Sequence, residues 1–86
     1  MGETADARLK RLAMRSARRG TKEMDLILGA YARDRLAEMD EAKLQLYDAM
    51  LGENDHDLYR WVTGQDTPPD RFAGLVADVA AHTRAD

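Results

Sequence analysis

The sequence predicts an all-α protein, built as a small five-helix bundle. Apolar residues recur at intervals of three and four along most of the chain, as they do on one face of an amphipathic helix. Alternation of apolar and polar residues, the mark of a strand, is absent, and β-branched residues are few. The length of 86 residues fits one domain, so we expect a single helical domain over residues 1–86.

The first two helices are predicted on either side of Gly20. A basic helix is expected over residues 4–17, and glycine suits the sharp turn that follows it. Thr21 can cap a second helix over residues 21–38. The apolar stripes that predict these helices are Ala5, Leu9, Leu12, Ala13 and Ser16 in the first and Met24, Ile27, Leu28 and Tyr31 in the second.

Three shorter helices are predicted in the remainder of the helical body, residues 24–83. Asp40 is a good N-cap for a helix that reaches about Leu51, and a fourth helix is expected over residues 56–63, closed by Gly64. Thr67 as the cap and Pro68 as the first helical residue predict the start of a fifth helix that runs to about Thr83. The predicted core positions are Leu44, Leu46, Tyr47, Met50, Leu51, Leu58, Trp61, Val62, Phe72, Leu75, Val76, Val79 and Ala80.

Aromatic residues are expected to serve packing. We expect Trp61 in the core, and Tyr31, Tyr47 and Tyr59 in the core or at its rim, because large apolar side chains at helical spacing bury their surface against neighbouring helices.

Catalytic and metal-binding residues are not indicated by the sequence. There is no cysteine, and Ser16 is the only serine, with nothing near it that marks a nucleophile. His56 and His82 have no partner at metal-ligand spacing and are expected to be exposed near helix ends. We therefore expect a protein that is not an enzyme and that has no catalytic residue and no metal site.

Charge is distributed unevenly along the chain. The net charge is −3, but residues 1–22 carry +5 and residues 23–86 carry −8. A basic helix could bind nucleic acid, yet the acidic remainder would repel a polyanion, and the basic segment has no stacking aromatic residue. The longest apolar runs are also far shorter than the roughly 20 residues that span a bilayer. We expect a protein-binding end, with neither nucleic-acid binding nor membrane insertion.

The segment over residues 18–23, Arg-Arg-Gly-Thr-Lys-Glu, joins the basic helix to the main amphipathic helix. If the helix continues through Gly20, Arg19 and Glu23 share a face and can pair. If it breaks there, the two charges flank a corner. In either case Gly20 leaves a bare stretch of backbone that a partner can approach closely.

This segment resembles a family signature. Residues 19–23 match the R-G-x-x-E motif of the succinate dehydrogenase flavinylation assembly factors, the SdhE family. Met24 and Asp25 resemble the hydrophobic-Asp continuation of that motif, and residues 55–61 resemble the family's acidic loop and D-L-x-x-W helix. The resemblance extends over residues 7–80, while Met14, Ser16 and Ala17 depart from the aromatic residue that often precedes the motif.

The resemblance implies a partner and a site. Family members are five-helix bundles that bind the flavoprotein subunit of succinate dehydrogenase, and in some bacteria that of fumarate reductase, and promote covalent attachment of FAD to it. The partner-binding residues that it implies are Arg19, Gly20, Glu23 and Asp25, and the neighbouring bases Arg15 and Arg18 are added as candidates. FAD belongs to the partner, and no cofactor is expected to be bound stably by this chain.

The sequence leaves two alternatives to this function open: a generic helical interaction or regulatory module, and, with less support, a nucleic-acid-binding protein. We further expect a monomer. No apolar stretch follows the first basic residues, so we expect no secretory signal, and acids (Glu3, Asp6) fall where a transit peptide would lack them. We therefore expect a bacterial cytoplasmic protein.

Overall fold

The computed structural model describes residues 3–85. Over this range the chain forms five α-helices and no strand, which confirms the predicted all-α bundle. The helices are α1 (Ala5–Ala17), α2 (Lys22–Arg35), α3 (Glu41–Met50), α4 (Asp55–Val62) and α5 (Asp70–Ala85), with a 3-10 turn at Leu36–Glu38 after α2. α1 packs mainly against α2, and α5 lies against α2, α3 and α4. No helix within this range is long and apolar enough to cross a membrane.

Side-chain caps set the start of four helices. In each, a polar side chain just before the first helical residue accepts a hydrogen bond from the backbone N–H three positions further on, which satisfies a group that the helix leaves unpaired. The capping residues are Thr4, Thr21, Asp40 and Asn54. Thr21 and Asp40 were predicted for this role, and both predictions are confirmed.

The predicted start of α5 is wrong. The helix begins at Asp70 and not at Pro68, and Pro69 provides the first carbonyl oxygen, which accepts from the Phe72 N–H at 2.9 Å. The reason is the second proline: a residue that precedes proline is driven out of the helical region, so Pro68 cannot be helical when Pro69 follows it.

The core is formed by most of the predicted stripe positions. Ala5 is exposed, and the positions that are only half-buried against the core include Leu9, Ala13, Ile27, Leu44 and Leu46. Of the predicted positions on α5, all five are buried, and Leu12, Met24, Leu28, Tyr31, Tyr47, Met50, Leu51, Leu58 and Val62 join them. Ala32 and Leu36 are buried in addition. Trp61 is only half-buried, with its ring 6.3 Å from that of Phe72, and Tyr59 is at the rim, 37% exposed.

His82 contradicts its predicted exposure. Its side chain is buried, its Nε2 lies 2.8 Å from Oδ2 of Asp34, and its ring stands edge-on to Tyr31 at 5.6 Å. Tyr31 in turn donates to Asp78 at 2.6 Å. These contacts fasten α5 to α2. His56, at the start of α4, is exposed as predicted.

Candidate functional site

The backbone turns a corner between α1 and α2, over residues 18–21. α1 ends at Ala17, and Thr21 has extended backbone angles before α2 begins. The helix therefore breaks near Gly20 instead of continuing through it. Arg19 and Glu23 do not pair with each other, because Arg19 forms its ion pair with Asp55 at the start of α4.

The Arg19 side chain is directed into the protein. Its Nε donates to Oδ1 of Asp55 at 2.7 Å, and its two terminal nitrogens donate to the carbonyl oxygens of Leu51 at 2.8 Å and Glu53 at 2.9 Å. The side chain is 10% exposed. Since a guanidinium offers its donors in fixed directions, these contacts fasten the corner to the segment that joins α3 and α4.

Two carboxylates bind the backbone of the same corner. Oδ2 of Asp55 accepts from the backbone N–H groups of Gly20 and Thr21, the second at 3.2 Å. Asp25, in the first turn of α2, accepts from the backbone N–H of Arg19. Three successive N–H groups that belong to no helical ladder are thus bound to carboxylate oxygens, which fixes the conformation of the corner.

Glycine at position 20 is favoured by the limited space beside it and not by its backbone angles. Its φ lies outside the left-handed region, which among the glycines of residues 3–85 only Gly64 occupies. A Cβ at position 20 would lie 3.0 Å from Oδ2 of Asp55. Glycine therefore allows the carboxylate to reach the backbone, and the residue itself is exposed to solvent.

The side chains that α2 presents beside the corner are exposed. Glu23 forms no hydrogen bond or ion pair through its carboxylate with any residue in the described range. Leu26, one turn further on, is 65% exposed, the largest value for a bulky apolar side chain within residues 3–85. A groove of about 250 Å³ separates the start of α2 from α4, with Glu23 on one element and Tyr59 and Arg60 on the other.

The two flanking bases differ. Arg15 forms an ion pair with Asp48 of α3, so its charge is neutralised within this chain. Arg18 is exposed and makes no ion pair with residues 3–85. Of the predicted site residues, the structure therefore brings Gly20, Glu23 and Arg18 to the surface, places Arg19 and Asp25 beneath the corner, and ties Arg15 to another helix.

The other positive charges of the basic helix are also partly neutralised by ion pairs. Arg8 pairs with Glu41 at 2.7 Å, and Arg11 pairs with both Glu3 and Asp48. These guanidinium groups lower the pKa values of their carboxyl partners: Arg11 is the main cause for Asp48, and Arg8 for Glu41. Within residues 3–22, the cations that remain exposed and form no ion pair with the described residues are Lys10, Arg18 and Lys22.

Side chains with catalytic potential are engaged in packing. Ser16 donates to the carbonyl oxygen of Leu12 at 2.7 Å and shares a 2.6 Å hydrogen bond with the Tyr47 hydroxyl. Burial raises the pKa of Tyr47 to about 12, so its hydroxyl keeps its proton at neutral pH. No group of three or more His, Asp or Glu side chains within residues 3–85 is arranged to hold a metal ion.

Three residues of this region were not identified from the sequence. Asp55 was seen only as one acid in a charged loop, because its partner Arg19 is 36 positions away. Leu26 carried a usable signal, since it is a bulky apolar residue outside the stripe that α2 buries. Tyr59 was assigned to packing, and its 37% exposure beside the groove could not be read from helical spacing alone.

A family model described as flavinator of succinate dehydrogenase matches residues 10–83. The chain belongs to this family. The resemblance to the flavinylation assembly factors that the sequence indicated is therefore confirmed, and the corner at residues 18–21 lies inside the matched range.

Individual proteins are also similar over most of this chain. It is 38% identical over 73 residues to a protein of Cryptococcus neoformans, 36% over 80 residues to one of Danio rerio and 37% over 70 residues to one of Schizosaccharomyces pombe. Each of these relatives is named succinate dehydrogenase assembly factor 2, mitochondrial. The alignments cover 85%, 91% and 81% of this chain and 42%, 51% and 50% of the relatives, so the chain spans about half of their length.

These names contradict the predicted bacterial cytoplasmic localisation, because the relatives are eukaryotic and mitochondrial. That prediction is wrong. It rested on Glu3 and Asp6 near the first residue, and in a chain that spans about half of its relatives the composition of these residues carries no information about a leader.

Proposed function

We propose that this chain binds the flavoprotein subunit of succinate dehydrogenase and assists the covalent attachment of FAD to that subunit. The observation that carries the proposal is the corner at residues 18–21, which is bare and exposed at Gly20 and held from beneath by two carboxylates. Membership of the flavinator family and the names of the relatives support the choice of partner.

The proposed docking face consists of Gly20, Glu23 and Leu26. Gly20 offers backbone without a side chain, so a partner chain can approach it closely. Glu23 offers a carboxylate that no residue of the described range neutralises, and a charged hydrogen bond that becomes desolvated on binding is strong and directional. Leu26 offers exposed apolar surface, and removing such surface from water favours association.

The proposed mechanism is selection of one arrangement of the partner. A protein that binds one conformation of its partner more tightly than the others shifts the population towards it. Holding reacting groups close to their attack geometry lowers the barrier of the subsequent step. In this account the chain contributes binding energy and orientation, and the reacting groups, the flavin included, belong to the partner.

We infer that the chain acts by binding and is not itself an enzyme. In support, His82 faces Asp34 inside the bundle, and Ser16 is hydrogen-bonded within it. We also propose a monomer, which sedimentation analysis of the chain alone would test. The flavoprotein subunit of fumarate reductase is a second partner to examine in the same binding assay.

The experiment compares two glycine substitutions. Gly20→Arg covers the bare backbone and crowds Asp55, whereas a side chain at Gly74, on the exposed part of α5, has nothing within 4 Å. Each variant is co-expressed with the flavoprotein subunit, which is then recovered by pull-down and examined for covalent flavin fluorescence in a denaturing gel. Circular dichroism measures helicity.

We expect Gly20→Arg to lose the partner and the flavin signal while it keeps its helicity. The Gly74→Arg control should bind and support flavinylation like the unsubstituted chain. Normal flavinylation with Gly20→Arg, or equal loss in both variants, would contradict the assignment of the docking face. Failure of the unsubstituted chain to bind either flavoprotein would contradict the proposed function itself.

A further inference from the structure

We infer that Arg19 and Asp55 form an internal brace, and that Arg19 is a positioning residue and not a contact to the partner. The inference rests on the proposed function, since it concerns how the same docking face is held. It changes the role that the family resemblance implies for Arg19 and adds Asp55, to which the sequence analysis assigned no role in the site.

The first argument is that the guanidinium of Arg19 is already occupied. Each of its three nitrogens donates to an acceptor in this chain, and the acceptors belong to Asp55, Leu51 and Glu53. With side chains only 10% exposed, both members of the ion pair are largely withdrawn from solvent. Little of this guanidinium is therefore accessible to a partner, and drawing it out of the corner would break bonds that are buried, which is costly.

The second argument is that Asp55 divides its two oxygens between side chain and backbone. Oδ1 accepts from the Arg19 guanidinium, and Oδ2 accepts from the N–H groups of Gly20 and Thr21. The guanidinium thus orients the carboxylate, and the carboxylate orients the backbone that is exposed. The same geometry explains the glycine, because a Cβ at position 20 would lie 3.0 Å from Oδ2.

The third argument is the benefit of a fixed corner. Residues 18–21 lie between two helices and have no helical ladder of their own. Backbone that is free before binding must be ordered on binding, and this ordering opposes association. A corner ordered in advance avoids that loss, so the brace raises affinity without touching the partner.

Two substitutions separate a brace from a contact. Arg19→Lys keeps the positive charge but replaces a planar fork with a single ammonium, which cannot serve the three acceptors in their present directions. Asp55→Asn keeps the shape of the side chain but replaces one acceptor oxygen with an NH₂ group. That group would face N–H donors and could not accept from them. Asp57→Asn is the matched control, because Asp57 lies in the same first turn of α4 and its carboxylate binds no residue of the described range.

The affinity for the flavoprotein subunit is measured by isothermal titration calorimetry, with the melting temperature recorded for every variant. We expect Arg19→Lys and Asp55→Asn to bind about tenfold more weakly or worse, since ordering even one freed backbone residue costs about that factor. Asp57→Asn should bind normally. To separate this loss from simple destabilisation, Asp78→Asn, which breaks the Tyr31 and Lys43 contacts of α5, should lower the melting temperature without weakening binding.

A second readout needs no partner. In ¹⁵N relaxation measurements on the chain alone, we expect the Gly20 and Thr21 amides to be as ordered as the helices, and to become mobile in Arg19→Lys and Asp55→Asn but not in Asp57→Asn. Full affinity of Arg19→Lys, or an ordered corner in Asp55→Asn, would overturn the inference. If the unsubstituted chain does not bind the subunit, the proposed function fails, and the relaxation data still decide whether the brace exists.

Discussion

The carboxylate of Glu23 and the side chain of Leu26 project from the first turns of α2, one turn apart and both exposed. Beneath them, Arg19, Asp25 and Asp55 bind one another or the corner backbone. At the scale of single residues the site thus has two layers. The inner layer fixes the corner backbone, and the outer, presented layer is exposed to a partner. Substitutions in the presented layer should affect binding and leave the fold unchanged.

Glu23→Gln tests the charged contact. Loss of the charge at constant shape should weaken the affinity for the flavoprotein subunit by about tenfold, because a charge-assisted hydrogen bond becomes a neutral one. Calorimetry measures the affinity. Glu38→Gln, at an exposed position beyond the other end of α2, is the control and should bind normally; equal affinity for both variants would remove Glu23 from the docking face.

Leu26→Ala tests the apolar contact. The side chain is 65% exposed, so we expect the free energy of unfolding to change by less than about 0.5 kcal/mol. The affinity for the subunit should fall by about tenfold if this leucine is buried at the interface. The control is Met14→Ala, which shortens an exposed apolar side chain on a different helix, α1. A large loss of stability with intact binding would contradict the prediction.

Packing between α4 and α5 decides the role of the single tryptophan. Trp61 is half-buried, whereas Phe72, against which it packs, is fully buried. We therefore expect Phe72→Ala to lower the free energy of unfolding by about 3–5 kcal/mol, and Trp61→Ala by about 2 kcal/mol because less of its surface is lost from the core. Urea unfolding measures both. A Trp61→Ala effect as large as that of Phe72→Ala would show that the indole is a core residue.

At the scale of elements, α1 is tied to α3 by charge. Arg11 and Arg15 both pair with Asp48, and Arg11 lowers the pKa of that carboxyl below its ordinary value. A carboxyl whose pKa is lowered by folding stabilises the fold above its unfolded pKa of about 3.9, and the stabilisation is lost as the pH falls through the folded pKa.

Asp48→Asn should therefore lower the melting temperature near neutral pH, and the difference from the unsubstituted chain should shrink as the pH falls below about 4. Circular dichroism melts over that range measure it. A difference that stays constant down to about pH 2 would mean that Asp48 contributes through packing and not through its charge.

Most of the element structure could be predicted because its causes are local. A cap such as Thr21 acts on an N–H three residues away, and an apolar stripe depends on spacing within one helix. The predicted start of α5 was wrong although its cause is also local. Proline disfavours helical angles in the residue before it, and Pro69 follows Pro68. His82 and Arg19 could not be placed, because their partners lie 48 and 36 positions away and meet them only in the folded bundle.

At the scale of the whole molecule, the basic and acidic parts of the chain largely neutralise each other. Arg8, Arg11 and Arg15 are paired with acids, so the +5 of residues 1–22 overstates the field that a partner meets. Within that basic segment, attraction of an acidic partner then falls to the exposed cations Lys10, Arg18 and Lys22.

Replacement of those three cations by glutamine should slow association with the flavoprotein subunit by about tenfold at low ionic strength and make its rate less dependent on salt. The melting temperature should not change. Stopped-flow kinetics at several salt concentrations measure the rates, with Arg8→Gln as a control that removes a paired charge. Identical salt dependence in the triple variant and the unsubstituted chain would exclude electrostatic steering by this helix.

Amide hydrogen exchange of the chain, with and without the flavoprotein subunit of succinate dehydrogenase, tests the docking face most directly. We predict that the subunit slows exchange in peptides that cover residues 18–27 and at the start of α4, and leaves the exposed face of α5 around Ala73 and Ala77 unchanged. Protection confined to α5, with the corner at Gly20 exchanging as it does in the free chain, would contradict the account.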